Sequence, residues 1–563
     1  MGGVRRASAA VSADMSADTT ETTPPTGTPL SPDELLAIYD VPGASAAEFL
    51  CDRHDPDAVA FTVIGADLSG RDITYGELRS RSEKVAAALA ALGVGEGDRV
   101  ATLVAKSADL VFTLMGIWRL GAVHMPLFTA FAWPAIEMRI VGGDARVIVS
   151  DADQRGKLES TSVPVVVAGL ADCPGAREGD LDLDTIVGDQ EPGRGAAVTG
   201  PDAGMVMLFT SGTTGTPKGV VVPVRALAAF HQYIETGLDV RADDVFWNGA
   251  DPGWAYGLYY GILGPLAVGR RSLLLHARYT PELAFAVLQY YGVTNFAAAP
   301  TVYRTMRAKR DIAPDVRLRR ASAAGEPLTP EVIEWSIEQF GVEVRDQYGQ
   351  TEHGMFIINP WHDSLREDVR PGSMGVPLPG WGCTVLAADS DETAPVGELG
   401  RVAIDVPASP LMWFTGYHDA PEKTAERFSA DGRWYYTGDA AKLDADGHFY
   451  FSSRDDDVII MSGYRIGPFD VESVLAKHPD VLESAIIGVP DELAGEVLEA
   501  YVVLREGVEG DDDTVADLQK WVKTEFAAHA FPRKVHFVRE LPKTPSGKIQ
   551  RFLLRKERRA SQG

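Results

Sequence analysis

Between Glu34 and Gly200 the apolar positions follow two periods in turn. In "DITYGELRSRSEKVAAALAALGVGEGD" Leu78, Val85 and Leu89 return to one helical face. Thr74 and Glu77 stand three apart, as in a capping box, and Gly93 supplies the stop. "RVATLVA" then reads as a short buried strand, "ADLVFTLMGIWRLGA" as a second apolar helix and "ARVIVS" as another strand. Strands that alternate with helices predict a mostly parallel sheet covered on both faces. The pattern resumes in "PELAFAVLQYYG", with Thr280 as N-cap, Pro281 at the first helical position and Gly292 at the end, followed by the strand "VTNFAAAP". No repeat of ~20–50 residues interrupts it.

From about Asp455 the texture changes to a compact mixed unit, "DVIIMSG", "PFDVESVLAKHP", "VLESAIIGV", "EAYVVLRE", "DLQKWVKTEF" and "KVHFVREL", which closes on the basic "RFLLRKERR". The charged "SRDDDV" before it reads as a linker. The expected class is α/β: a tail over 1–32, a large N-terminal domain of layered α/β subdomains with mostly parallel sheets over 33–455, and a small α+β C-terminal domain over 456–563.

At 563 residues the chain outgrows a single core. Its net charge of -27 argues against nucleic acid or an anionic membrane as partner, and any anion it binds needs strong local donors. Cys51, Cys173 and Cys383 lie far apart without metal-ligand spacing, which fits a reducing cytoplasm. No apolar run reaches the ~18 residues of a membrane span. The N-terminus has basic residues but no apolar stretch after them, so it is not read as a secretory signal, and its Ser/Thr/Ala/Pro bias suggests disorder.

Candidate chemistry begins at "TSGTTGTPKGV", Thr210 to Val220, where five hydroxyls, three glycines and one lysine share eleven positions. A Walker loop would need a glycine before Lys218 and a hydroxyl after it, but Pro217 and Gly219 stand there. What remains is a turn with exposed backbone N–H groups, suited to wrapping a polyphosphate. Alone it would be an ordinary surface loop. Downstream lie "YGQTEHG", "YYTGDAA", "SRDDDVIIMSGYRIGPFDVE" and "PKTPSGKIQR", and their joint occurrence in this order is not accidental.

With these motifs the chain resembles the adenylate-forming superfamily of acyl-CoA synthetases, peptide-synthetase adenylation domains and luciferases, from about residue 30 to the end. "DPGWAYGLYYGILGPLAVG", "GEPLTPEVIEW" and "SGYRIGP" are most similar to the short- and medium-chain acyl-CoA synthetase branch. The resemblance implies an AMP-forming acyl-CoA ligase using ATP, Mg2+ and coenzyme A. It assigns Thr210, Ser211, Thr213, Thr214 and Lys218 to the β- and γ-phosphates, and Gly325, Glu326 and Pro327 to the flanks of the adenine. Tyr348 would stack on the base, Thr351 reach the α-phosphate and Glu352 ligate the magnesium ion. Asp439 would grip the ribose with Arg454 assisting, and Arg465 would face the α-phosphate or later the CoA. Lys548 matches the lysine that bridges the substrate carboxylate and the α-phosphate. The physical logic stands without the family, because two anions join only where a positioned cation pair makes their approach tolerable. The C-terminal domain would be mobile about a hinge at Asp456, bringing Gly463 to the pantetheine path after adenylation.

In acetate-specific relatives a tryptophan shortens the acyl pocket at the position that is Gly349 here. With Trp254, Ala255, Tyr256 and Ala324 as further, mostly apolar walls, the expectation is a monocarboxylic acid longer than acetate, each added buried methylene being worth ~0.8 kcal/mol. His353 reads as structural, since the acid is already ionised and needs no base, and His231 and His276 have no visible partner. The "PKTPSGK" context resembles sites of lysine acylation, so a lysine acetyltransferase and deacetylase acting on Lys548 are expected partners. The competing readings are an acyl-AMP ligase that loads a carrier protein and a non-catalytic nucleotide-sensing homologue. Intact Lys218, Glu352, Asp439 and Lys548 speak against the second.

Overall fold

The computed structural model describes residues 27–158, 160–210, 217–309, 316–461, 464–491, 495–527, 530–544 and 548–560. The predicted local elements form where their patterns lie. Tyr75–Ala91 is a helix whose N-cap, Thr74, accepts from the Glu77 amide at 3.1 Å. The capping box closes only on that side, because the Glu77 carboxylate turns instead to Arg71. Ala108–Arg119, apolar all round, is buried all round, and the Trp118 indole donates to the Met205 carbonyl at 2.9 Å.

Two large sheets carry the N-terminal part. In the first the strand order is Leu181–Asp182, Val165–Ala168, Ala145–Asp151, Arg99–Leu103, Val123–Pro126, Gly204–Thr210 and Lys218–Pro223. Its pairs are parallel until the last, an antiparallel hairpin in which Thr210 faces Lys218. The second has nine strands, and its parallel centre runs Val344–Gln350, Arg320–Ala324, Asn295–Ala298, Phe246–Asn248, Ser272–Leu275 and Val59–Ile64. Parallel strands buried on both faces explain the near-continuous apolar runs of the sequence. An antiparallel four-stranded sheet, Gly382–Leu386, Gly400–Asp405, Trp434–Leu443 and Phe449–Arg454, completes this part.

Beyond a single turn at Asp455–Asp457 the chain builds a separate five-stranded sheet with its own apolar clusters. The C-terminal unit docks on the four-stranded sheet through Asp470, whose carboxylate accepts from Ser452 Oγ at 2.9 Å and Lys442 Nζ at 3.3 Å. Phe451 and Phe469 meet beside that contact, their ring centroids 6.2 Å apart.

Inside the first layer Arg119 is fully buried and grips Asp52 with both guanidinium nitrogens, at 2.6 and 2.8 Å. Removing one member of such a pair leaves an uncompensated charge, whereas replacing both with apolar groups of similar volume is far less costly. Arg119→Met should therefore destabilise the protein by about 3 kcal/mol or more, leaving Asp52 with Arg79 at 3.9 Å as its remaining ion-pair partner among the described residues. Arg119→Met/Asp52→Leu should recover most of the loss. Scanning calorimetry of both variants checks this, and equal destabilisation by the two would refute it.

Candidate active site

Ligands of open α/β sheets bind outside the carboxyl ends of the strands. Here those ends lead into a cavity of about 640 Å³ between the nine-stranded sheet, the four-stranded sheet and the C-terminal unit. Thr210, Lys218, Gly325, Glu326, Pro327, Tyr348, Thr351, Glu352, Asp439, Arg454 and Lys548 all line it. Thr210 and Lys218 are the two ends of the hairpin whose connection carries Ser211, Thr213 and Thr214, and those three lie outside the described residues. Burial draws the Lys218 amine below its usual pKa, and nearby Arg427 and Lys423 add to the effect.

Asp439 and Arg454 are cross-strand partners, and Arg454 donates to Asp439 Oδ1 at 2.8 Å. The other oxygen accepts from Tyr348 Oη at 2.6 Å and Gln350 Nε2 at 2.5 Å. A strand's two-residue period puts Tyr348 and Gln350 on one face, aimed at the same carboxylate. The Tyr348 ring therefore lies edge-on to Phe356, with its hydroxyl held by Asp439. Asp346, earlier on the same strand, also lines the cavity, and burial pushes its carboxyl up to about 8.

Gly325 has φ +94°, and an added Cβ would lie 2.5 Å from the Trp254 ring, so the indole presses directly on the backbone there. The next side chain, Glu326, turns towards Thr301 and Arg304, accepting from the Thr301 hydroxyl at 2.8 Å and ion-paired with Arg304. Glu352 is buried and accepts from Tyr417 Oη at 2.8 Å. Tyr417 Oη in turn accepts from Arg427 Nε at 3.2 Å. Among the described residues no three acidic, histidine or cysteine side chains gather into a cage. Asp439 and Glu326 are engaged by Arg454 and Arg304, whereas Glu352 has no such ion pair among the described residues, and one carboxylate suits an ion that draws its other ligands from substrate phosphates and water, as magnesium does. The residues present fit that ion, and Glu352 is placed where it would be the protein ligand.

Lys548 arrives from the far end of the chain. Its backbone is pinned to Thr544, whose hydroxyl accepts from the Lys548 amide at 3.0 Å. The side chain lines the cavity and keeps an exposed surface, while the protein around it displaces much of the water. Burial accordingly lowers the pKa of the amine and Arg454 lowers it further, while Asp439, Glu326 and Glu352 pull the other way. A cation brought by one domain thus faces three carboxylates of the other.

Of the expected acyl walls, Trp254 and Gly349 line the cavity. Ala255, Tyr256 and Ala324 are buried in the core, where the Tyr256 hydroxyl meets Tyr233 at 3.3 Å. A Cβ on Gly349 would stand 2.1 Å from the Gly354 carbonyl oxygen, so this backbone accepts only glycine there. Further apolar lining comes from Phe128, Phe131 and Phe209, which the sequence reading did not single out. Nor did it find Tyr417, Arg427 or Gln350. Tyr417 stands in "WFTGYHDAPEKT", where a lone tyrosine after a glycine carries no chemical signal.

His353 lies off the cavity, buried among Phe356, Trp381 and Tyr435. Its Nδ1 is 2.9 Å from the Gly354 carbonyl, and burial drops its pKa to about 4, so the ring is neutral. His231 does have a partner, contrary to expectation: its Nδ1 is 2.9 Å from Tyr39 Oη, a pairing across 192 residues of chain. His276 is exposed. Arg465 lies 3.8 Å from Asp455 and away from the cavity wall, and Asp456 sits in the turn between the two domains. Gly463 lies outside the described residues.

Two family models match the chain, "AMP-binding enzyme" over residues 51–418 and "AMP-binding enzyme C-terminal domain" over 470–548. An acetyl-coenzyme A synthetase of Bacillus subtilis is 34% identical over 495 residues, covering 86% of this chain and 84% of that protein. The mitochondrial acyl-coenzyme A synthetase ACSM4 of Homo sapiens is 34% identical over 493 residues, 86% of this chain and 83% of its own. Among solved structures, an acyl-CoA synthetase of Brucella canis superposes with a TM-score of 0.73 at 41% identity, over 95% of this chain and 98% of that one. The anthranilate CoA ligase AuaEII in complex with anthranoyl-AMP gives 0.82 at 28% identity, over 92% and 98%.

Proposed function

The chain belongs to the AMP-binding enzyme family as an ATP-dependent, AMP-forming acyl-CoA synthetase, and from that premise we propose that its substrate is a monocarboxylic acid longer than acetate. The acid's carboxylate would displace pyrophosphate from the α-phosphorus of ATP, and the thiol of CoA would then displace AMP from the acyl-adenylate. The observation that carries this reading is the entry of Lys548 into the cavity that holds Glu352 and Asp439.

Each role rests on a placement already described. The carboxylate of Asp439, oriented by Arg454, Tyr348 and Gln350, would accept hydrogen bonds from the ribose hydroxyls. Lys218, at the root of the hydroxyl-rich hairpin, would meet the β- and γ-phosphates. Lys548 would lie between the incoming carboxylate and the α-phosphate, offsetting their repulsion where the surrounding low dielectric makes a fixed charge most effective. Magnesium bound at Glu352 would neutralise phosphate charge and stabilise the departing pyrophosphate. An acyl group on Lys548 would erase its charge, so acetylation there is proposed as an off-switch, and an acetylated enzyme with undiminished pyrophosphate release would exclude it.

The length preference is supported by Gly349, where the Gly354 carbonyl leaves no space for a side chain that could shorten the acyl pocket. The aromatic wall of Trp254, Phe128, Phe131 and Phe209 supports an apolar acyl group. CoA-dependent pyrophosphate release across a graded acid series should give a higher kcat/KM for butyrate and hexanoate than for acetate, and the reverse order overturns the proposal. Running the series with a phosphopantetheinylated carrier protein in place of CoA identifies the acceptor, with free CoA expected to serve. Lys548→Gln should lower pyrophosphate release by about 10²–10³-fold while ATP still binds, since one preorganised donor to a transition state has that weight. Unchanged turnover would remove Lys548 from the mechanism.

A further inference from the structure

Tyr417 is 6% exposed and stands at the wall of the cavity. Its hydroxyl lies 2.8 Å from Glu352 Oε1 and 3.2 Å from Arg427 Nε. A guanidinium can only donate, so the tyrosine oxygen accepts from Arg427 and its single proton goes to Glu352. The direction of the relay is therefore fixed by chemistry. Both ends are anchored. The Tyr417 amide donates to Thr424 Oγ1 at 2.9 Å, and Arg427 Nη1 reaches the carbonyls of Tyr436 and Thr437 at 3.4 and 3.3 Å. The face of the same ring carries Lys218, whose Nζ lies 5.1 Å from the ring centroid. One side chain thus sets the spacing between the cation of the phosphate hairpin and the carboxylate opposite it.

We propose that Tyr417, held by Arg427, is a positioning residue that fixes Glu352 through Oε1 and presents Oε2 to the magnesium ion of Mg·ATP. The proposal deepens the reading of this cavity as a nucleotide site and rests on it. A carboxylate free to change rotamer would lose part of its affinity for the ion in ordering itself, and a donor held behind a ligand removes that loss. Packing alone would not demand the hydroxyl. The ring's contact with Phe414, 5.0 Å between centroids, and its face beneath Lys218 need only the aromatic system.

Tyr417→Phe keeps the ring and deletes the hydroxyl. Titration calorimetry on the whole chain, without acid or CoA, should show Mg·ATP binding weakened about tenfold and metal-free ATP binding changed by less than about twofold. The magnesium concentration for half-maximal pyrophosphate release should rise by a similar factor with the melting temperature unchanged. Arg427→Gln should weaken Mg·ATP binding in the same direction by less, and it serves as the independent reading if Tyr417→Phe does not fold. Wild-type Mg·ATP affinity in Tyr417→Phe, or equal weakening with and without the metal in either variant, overturns the proposal. Because these titrations contain no acid, failure of the acid series would leave the result standing, and failure here would leave the ligase reading standing.

Discussion

The arrangement turns on bringing positive charge to a place that the molecule as a whole makes hostile to its ligands. A chain of net charge -27 repels a polyphosphate, and the reaction adds a second anion to the first. The answer is local: Lys218 from a hairpin end, Arg454 from an edge of the four-stranded sheet and Lys548 from the C-terminal domain converge on one cavity. Loss of water around them lowers the amines of Lys218 and Lys548 below their usual pKa. The carboxylates of Asp439, Glu326 and Glu352 favour the charged form of Lys548, while two of the three are also engaged by Arg454 and Arg304.

Most of the architecture serves that convergence. The parallel sheets end their strands at one surface, and the antiparallel pair that ends the first sheet delivers Lys218 there. The four-stranded sheet sets Asp439 opposite Arg454 by register alone. Asp470 then seats the C-terminal unit with two hydrogen bonds and one aromatic contact.

Local periodicity made the elements readable. The helix Tyr75–Ala91 and the strand Arg99–Leu103 follow from spacing and caps, and Thr280 caps its helix as read, accepting from Leu283 at 3.2 Å. Motifs located the cavity residues Lys218, Glu352, Asp439 and Lys548 for the same reason, because a short segment contains the whole signal. The finer geometry was not readable. The motif around Tyr348 says nothing of the hydrogen bond its hydroxyl makes to Asp439, 91 positions away. Nothing near His231 in the sequence signals its partner, because Tyr39 is remote in the chain. Among the acyl walls, alternation along a helix or strand could not say that Trp254 reaches the cavity while neighbouring Tyr256 turns into the core.

Sequence alone was therefore sufficient for whatever depends on neighbours a few residues apart: helix ends, the turn near Asp455 and the short motifs that place Lys218, Glu352, Asp439 and Lys548 on the cavity wall. Folding decided whatever requires distant segments to meet. The Tyr417–Glu352 bond spans 65 residues, and the field at Lys548 is made by Arg454 and Asp439 from another domain. Hydrogen bonds and charges act over ångströms in space, and a linear order of residues carries no measure of that distance until the chain has closed on itself.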